Sequence, residues 1–197
     1  MSQNITEQQI IISEEIRAWS KHSLEPPNPD FNNLPACPYA KTAWQDEKVD
    51  IVFKADDDYQ IVFDALFNWS DTKDLVIVVD TSFIEDADHF HKYLDDVNEC
   101  ISEKFFKDQD LWVMGFHPQQ EVNELIDDGT FEGESDIEYA LIFVQRLSKL
   151  QKASNKLVSR GYYERYFKTY EVSEMYETRK EYYRRLKDAR SKEIRPS

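Results

Sequence analysis

Strand-like and helix-like segments alternate through the middle of the chain. Residues 75–80 (LVIVVD) are a continuous, mostly β-branched run of the kind that forms a strand buried on both faces. Similar strand-like runs lie at 49–55 and 111–118, and residues 59–69 and the stretch after Ser82 have helical spacing. Because β-α-β-α-β alternation forms sheets with right-handed crossovers, we predict an α/β fold with a small, mainly parallel sheet of three or four strands.

Predicted helices flank this core on both sides. A Thr-x-x-Gln capping box that begins at Thr6 predicts a helix over residues 6–22. Apolar residues at helical spacing also predict helices over 139–157 and 175–192. The predicted units are an acidic α/β domain, 1–157, and a basic, Tyr-rich helical extension, 158–197.

The formal net charge of −15 is the sum of two opposite blocks. Residues 145–197 contain 15 Lys and Arg against 7 Asp and Glu, whereas residues 1–144 contain 9 against 32. Binding to a nucleic-acid backbone needs a positive footprint. We therefore expect no nucleic-acid binding by the acidic body and allow it for the basic extension.

Glycine is scarce, with four in 197 residues. Phosphate cradles and dinucleotide-binding turns need several glycines directly before a helix, and no segment of this sequence has that arrangement. The sequence therefore excludes the common glycine-rich nucleotide-binding motifs.

Cysteine usage and hydropathy indicate the compartment. The two cysteines, Cys37 and Cys100, are too few for a disulfide framework and are typical of a reducing environment. The first residues lack the cationic start of a signal peptide, and no apolar run is long enough to span a bilayer. We expect a cytoplasmic protein without membrane contact, located in the host cytoplasm if its source is viral.

Cys37 lies in a proline-rich loop directly before a predicted short helix. Residues 24–38 contain five of the seven prolines, which excludes a helix or a central strand there and favours an ordered, functional loop. A helix start lowers the pKa of a cysteine thiol, and Lys41, one turn later, acts in the same direction. We therefore predict Cys37 as a reactive or ligating group supported by Lys41.

Asp80 and His117 are predicted at the carboxyl edge of the sheet. Asp80 ends the second predicted strand, His117 lies at the end of the third, and Lys54 and Asp56 end the first. Ligands of α/β proteins bind at this edge. With Cys37 in reach, the three side chains supply a nucleophile, a base and an orienting carboxylate. The alternative is structural: Cys37 is a small buried residue, Asp80 caps a turn and His117 is a loop histidine.

The same side chains suit an open zinc site, in which Cys37 and His117 bind the metal with Asp80 or Glu121. The sequence identifies neither the metal nor any cofactor, so both stay unknown.

The basic extension combines aromatic and cationic side chains. Such a mixture suits packing against the acidic body, docking of an acidic protein partner, self-association or stacking on nucleic acid. The candidate partner-binding residues are Arg179, Lys180, Arg184, Arg185, Lys187 and Arg190.

Short motifs over residues 14–157 resemble an uncharacterised bacterial family, numbered fourteen-fifteen in the domain-of-unknown-function series. The resemblance rests on CPYAK at 37–41, the strand ending in LVIVVD, the DADHFHKYLDDV stretch and GFHP at 115–118. It carries over the Cys-Pro, Ala-Lys and His-Pro positions, although the family's Arg-Ser-Pro-Tyr-Pro segment is missing. The four residues CPYA also resemble the CPYC of glutaredoxins. The acidic, Asn- and Lys-bearing composition of the chain, with its extra C-terminal helices, is similar to that of marine phage proteins.

Two functional hypotheses follow. In the first, a pocket at the strand carboxyl ends performs thiol or metal-ligand chemistry on an unknown small molecule, with Cys37, His117 and Asp80 as its working groups. In the second, the chain is an accessory or structural protein that performs no chemistry and associates through its acidic body and basic extension.

Overall fold

A computed structural model of the chain describes residues 6–54, 59–82, 86–119, 138–164 and 173–193. Within these ranges, helices surround a four-stranded mixed sheet, so the predicted α/β class is confirmed. The prediction that the sheet is mainly parallel is wrong, because only one of its three strand pairs is parallel.

Helices and strands are numbered in chain order. The helices are α1 (Glu7–Trp19), α2 (Ala40–Gln45), α3 (Gln60–Phe67), α4 (Ala87–Ser102), α5 (Leu147–Val158) and α6 (Ser173–Glu193). The strands of the sheet are β3 (Val49–Phe53), β4 (Leu75–Asp80), β5 (Leu111–Phe116) and β6 (Ala140–Arg146). A separate short hairpin is made of β1 (Pro27–Asn28) and β2 (Leu34–Pro35). A π-helical turn, Ser20–Leu24, extends α1.

The strands lie in the order β3-β4-β6-β5. β3 and β4 are parallel, and β6 is inserted antiparallel between β4 and β5. Residues 140–146 were predicted as the first half of a helix, and this prediction is wrong. An unbroken apolar run has no clear period, and a central strand buried on both faces produces such a run as readily as a buried helix does.

Two cores lie on opposite faces of the sheet. On one face, α3 and α4 pack with Val62, Phe90 and Leu94 against Val78, Ile142 and other strand residues. On the other face, α1 and α2 pack with Ile12, Ile16 and Trp44 against Ile77, Val79 and Leu141. The alternation of side chains along β4 and β6 explains why a continuous apolar sequence serves both cores.

Helix starts differ in how well the sequence marks them. The predicted capping box of α1 is confirmed, since Thr6 accepts from the N–H of Gln9 and the Gln9 side chain accepts from the N–H of Thr6. For α4, the cap is Asp86, whose carboxylate accepts from the N–H of His89. α2 begins at Ala40, later than the predicted start at Pro38.

Strand β5 lies at the edge of the sheet, where an exposed backbone would be open to pairing with another chain. Asn98 of α4 covers part of this edge, because its amide donates to the Val113 carbonyl at 2.7 Å and accepts from the Val113 N–H at 2.9 Å. Asn98 is 3% exposed. The side chain therefore acts as a substitute for a neighbouring strand.

We expect Asn98→Ala to destabilise the fold by about 2–4 kcal/mol, because it leaves a buried N–H and a buried carbonyl of β5 without partners. Urea unfolding followed by circular dichroism measures the effect. Asp96→Ala, on the exposed side of the same helix, is the control and should change stability by less than about 1 kcal/mol. Equal losses in the two variants would contradict this role of Asn98.

Candidate functional site

A buried ion pair lies at the carboxyl ends of β3 and β4. Lys54 Nζ is 2.7 Å from Asp80 Oδ2, and the two side chains are 1% and 0% exposed. The ammonium also lies 4.5 Å from the ring centroid of Tyr59. Ser82 closes the other side of the carboxylate, since its N–H donates to Asp80 Oδ1 at 3.0 Å.

The parallel pairing of β3 and β4 creates this ion pair. Phe53 pairs with Val79, and the N–H of Lys54 continues the ladder by donating to the Val79 carbonyl at 2.9 Å. Lys54 and Asp80 are therefore neighbours in register, and both side chains point to the face covered by α3 and α4. Sequence reasoning placed both residues at this edge but did not predict that they form an ion pair.

His117 lies at the same edge, directly after β5, and is 0% exposed. Its ring centroid is 5.3 Å from that of Phe90 on α4, so it points to the same face as Lys54 and Asp80. The His117 Nδ1 accepts from the N–H of Gln119 at 3.2 Å. Because Nδ1 accepts this hydrogen bond, Nε2 is the ring nitrogen that can donate.

One strand separates Asp80 from His117. Asp80 pairs with Ala140, and Phe116, the residue before His117, pairs with Leu141 of the same strand. Two strand spacings put the backbones of Asp80 and His117 about 10 Å apart. Ala140, whose side chain is small and fully buried, lies between them on β6.

Cys37 lies elsewhere in the fold. Its N–H donates to the Leu24 carbonyl at 2.9 Å, which ties it to the turn that follows α1, the helix that packs on the sheet face opposite to Lys54. Within the part of the chain that the structure describes, no three His, Cys, Asp or Glu side chains meet in a metal-binding group. The structure therefore does not assemble Cys37, Asp80 and His117 into a metal-binding group; Glu121 lies outside the described residues.

Burial also opposes the predicted reactivity of Cys37. Desolvation raises the pKa of the thiol above its ordinary value, and this outweighs the lowering by the N–H groups of Tyr39 and Ala40. The predicted lowering of the pKa is wrong because desolvation of the half-buried thiol outweighs the effect of the short helix α2. Lys41 is an exposed residue of α2.

The proline-rich loop has a packing role. Phe31 stacks on Tyr162 with ring centroids 4.7 Å apart, and the Tyr162 hydroxyl donates to the Ala36 carbonyl. Leu157 and Tyr163 complete this small core. Tyr162 and Tyr163 of the Tyr-rich extension thus pack inside the molecule, whereas its residues Tyr166, Phe167 and Tyr170 lie outside the described residues.

The basic residues of α6 contact the chain's own side chains. Arg185 pairs with Glu99 at 3.1 Å, and Arg190 pairs with Asp110 at 3.1 Å, so two of the cations dock the helix on the acidic body. Lys180 and Arg184 pair with acidic residues of α6 itself. Lys187 lies over the ring of Tyr183 and Arg179 is buried.

No helix among the described residues is both long and apolar enough to cross a membrane. The predicted cytoplasmic location stays a prediction. Comparisons of the chain with family models, with curated proteins and with solved structures found no match. The resemblance to the uncharacterised bacterial family therefore stays a prediction.

We expect Cys37 to react slowly with iodoacetamide at pH 7.5, because burial raises the pKa of its thiol and limits access. The rate is measured in a Cys100→Ser background by mass spectrometry, with the same chain in urea as the control. Alkylation in the folded chain that is as fast as in urea, or faster, would contradict the raised pKa of the Cys37 thiol.

Glu99 gives the docking of α6 a pH dependence. Hydrogen bonding by the Tyr182 hydroxyl, followed by the Arg185 guanidinium, lowers the pKa of Glu99 in the folded chain. The resulting stabilisation is complete above the unfolded pKa of about 4.3 and is lost as the pH falls through the lower folded pKa. Glu99→Gln should therefore flatten the loss of stability below about pH 4.3.

Urea unfolding at several pH values measures this effect. The matched control is Glu103→Gln, at the exposed end of the same helix, which should keep the pH profile of the parent chain. Profiles of identical slope for Glu99→Gln and the parent would contradict the proposed contribution.

Proposed function

We propose that the protein binds a small polar molecule at the carboxyl edge of its sheet, with Lys54, Asp80 and His117 as the charged and titratable groups of the site. The observation that carries this proposal is the buried Lys54–Asp80 ion pair at the ends of two adjacent parallel strands. This edge is the usual ligand-binding position in open α/β sheets.

Energetics favour a functional reason for this ion pair. Removing two charges from water costs several kcal/mol, and the attraction between them repays this cost only in good geometry, so apolar replacements of buried pairs are often neutral or stabilising. A fold that needed only packing at this point could use two apolar side chains. Buried ionisable groups that converge in one place are typical of functional sites.

The three side chains supply complementary chemistry. Lys54 is an ammonium that Asp80 holds in place, and it suits the anionic or carbonyl oxygen of a ligand. The imidazole of His117, on the far side of Ala140, suits a second polar group of the ligand. We assign His117 the role of proton donor or acceptor and leave Cys37 out, since Cys37 is tied to the turn after α1 and the pKa of its thiol is raised.

Lys54→Met combined with Asp80→Leu tests the proposal. We expect the double variant to stay within about 1 kcal/mol of the parent chain, whereas Asp80→Ala alone should cost about 3–5 kcal/mol because it strands the buried ammonium. Ligand-observed NMR with a library of small carboxylates, phosphates and amides then compares parent and double variant. Hits that bind the parent should be lost.

His117→Gln should also weaken those hits, by about tenfold or more for a loss of one charge-assisted contact. His22→Gln, at an exposed position after α1, is its control. Hits that bind the folded double variant as tightly as the parent would contradict the site, as would a library that yields no ligand for the parent.

A second candidate function is that of an accessory protein that associates without chemistry. The docking of α6 through Arg185 and Arg190 favours it, because the same ion pairs can form between two copies of the chain. Size-exclusion chromatography of the parent and of Arg185→Ala/Arg190→Ala, at low and high salt, tests this. A monomer under all four conditions would rule out self-association.

A nucleic-acid contact through α6 stays a separate proposal, tested by the salt dependence of oligonucleotide binding.

A further inference from the structure

Arg179 of α6 is a buried cation in the interface between α6 and α5. It is 5% exposed, and its Nε donates to Gln151 Oε1 at 3.1 Å while its Nη2 donates to Ser154 Oγ at 2.9 Å. The guanidinium carbon lies 4.8 Å from the ring centroid of Tyr176. All of these protein contacts are uncharged.

Among the described residues, no carboxylate pairs with Arg179. The contrast is Arg146, which is also well covered and has two carboxylates, those of Asp71 and Asp108. Transfer of an unpaired charge from water to the protein interior is costly, and buried charges are as a rule paired. Among the described residues, the environment of Arg179 therefore provides hydrogen bonds and a ring face without a balancing negative charge.

One edge of the guanidinium donates hydrogen bonds to described side chains, and the other edge does not. Gln151 and Ser154 take the edge formed by Nε and Nη2, whereas Nη1 donates to no described acceptor. Nη1 is not fully sealed from solvent, so this edge of the guanidinium still reaches water. A planar fork of N–H donors at the end of a fixed arginine matches the oxygens of a carboxylate or a phosphate.

Neighbouring contacts hold the fork in place. The Ser154 hydroxyl lies 2.7 Å from the Tyr163 hydroxyl, and the Gln151 amide donates to Asn155 Oδ1 at 2.9 Å. The surrounding segment has the same sign of charge, since residues 145–197 carry 15 Lys and Arg against 7 Asp and Glu. Binding an anion to a cation that is already held in place costs less conformational entropy than binding it to a flexible surface arginine.

We infer that Arg179 binds an oxyanion, the carboxylate or phosphate group of a small ligand, end-on through Nη1 and Nη2 in the interface between α5 and α6. This site shares no residue with the proposed site at Lys54, Asp80 and His117. It also gives Arg179 a different role from the surface cations of α6, since Lys180 and Arg184 already pair with acidic residues of their own helix.

Titration of the full-length, nitrogen-15-labelled chain with sodium phosphate, sodium acetate and sodium chloride at matched ionic strength tests the inference. The Nε–H resonance of Arg179 should shift saturably with phosphate, with acetate or with both, and not with chloride; the more effective anion identifies the group. At ten times the dissociation constant, the same anion should raise the unfolding temperature by about 3–6 °C.

Variants separate a specific site from general charge effects. Arg179→Lys keeps the charge without the planar fork and should weaken anion binding at least tenfold. Arg184→Met removes an exposed cation of the same helix and should leave binding unchanged. Shifts equal to those with chloride would overturn the inference, as would equal losses in Arg179→Lys and Arg184→Met. The resonance of the parent chain decides the outcome even if a variant at 179 fails to fold.

Discussion

Backbone hydrogen bonding along β6 holds the sheet together. This strand pairs with β4 on one side and with β5 on the other, so β5 joins the sheet only through it. The register of these two ladders also brings Asp80 and His117 to one edge, on either side of Ala140. Both cores depend on β6, because its alternate side chains pack under α3 and α4 on one face and under α1 on the other.

Local sequence patterns predicted correctly the elements whose pattern fits only one kind of secondary structure. The β-branched run at 75–80 and the capping box at Thr6 are of this kind. The apolar run at residues 140–146 fits a buried helix or a buried strand, and only pairing with β4 and β5 makes it a strand. The edge position of Asp80 and His117 followed from strand direction alone. The displacement of Cys37 did not, because it depends on how the proline-rich loop packs on Tyr162.

The two charge blocks meet within one molecule, and the arginines of α6 show how differently similar residues are used. Arg185 and Arg190 reach carboxylates of the body, at Glu99 and Asp110. Arg179 lies nearby on the same helix and contacts only neutral groups among the described residues. Sequence reasoning treated these arginines as one surface, because composition does not reveal which side of a helix faces a neighbour.

The side chain that caps helix α5 comes from a distant part of the sequence, directly before β5. It follows β6 without a loop, and the Asp110 carboxylate, from the residue before β5, accepts from the N–H and the hydroxyl of Ser148 at 2.7 Å. Most helices are capped by a residue of their own N-terminus, so they can begin to form alone. Here the first turn of α5 is completed only after β5 and β6 have paired. Folding of the C-terminal helices is thus tied to assembly of the sheet, and a nascent chain that has not yet paired β6 has no complete platform on which α6 can dock.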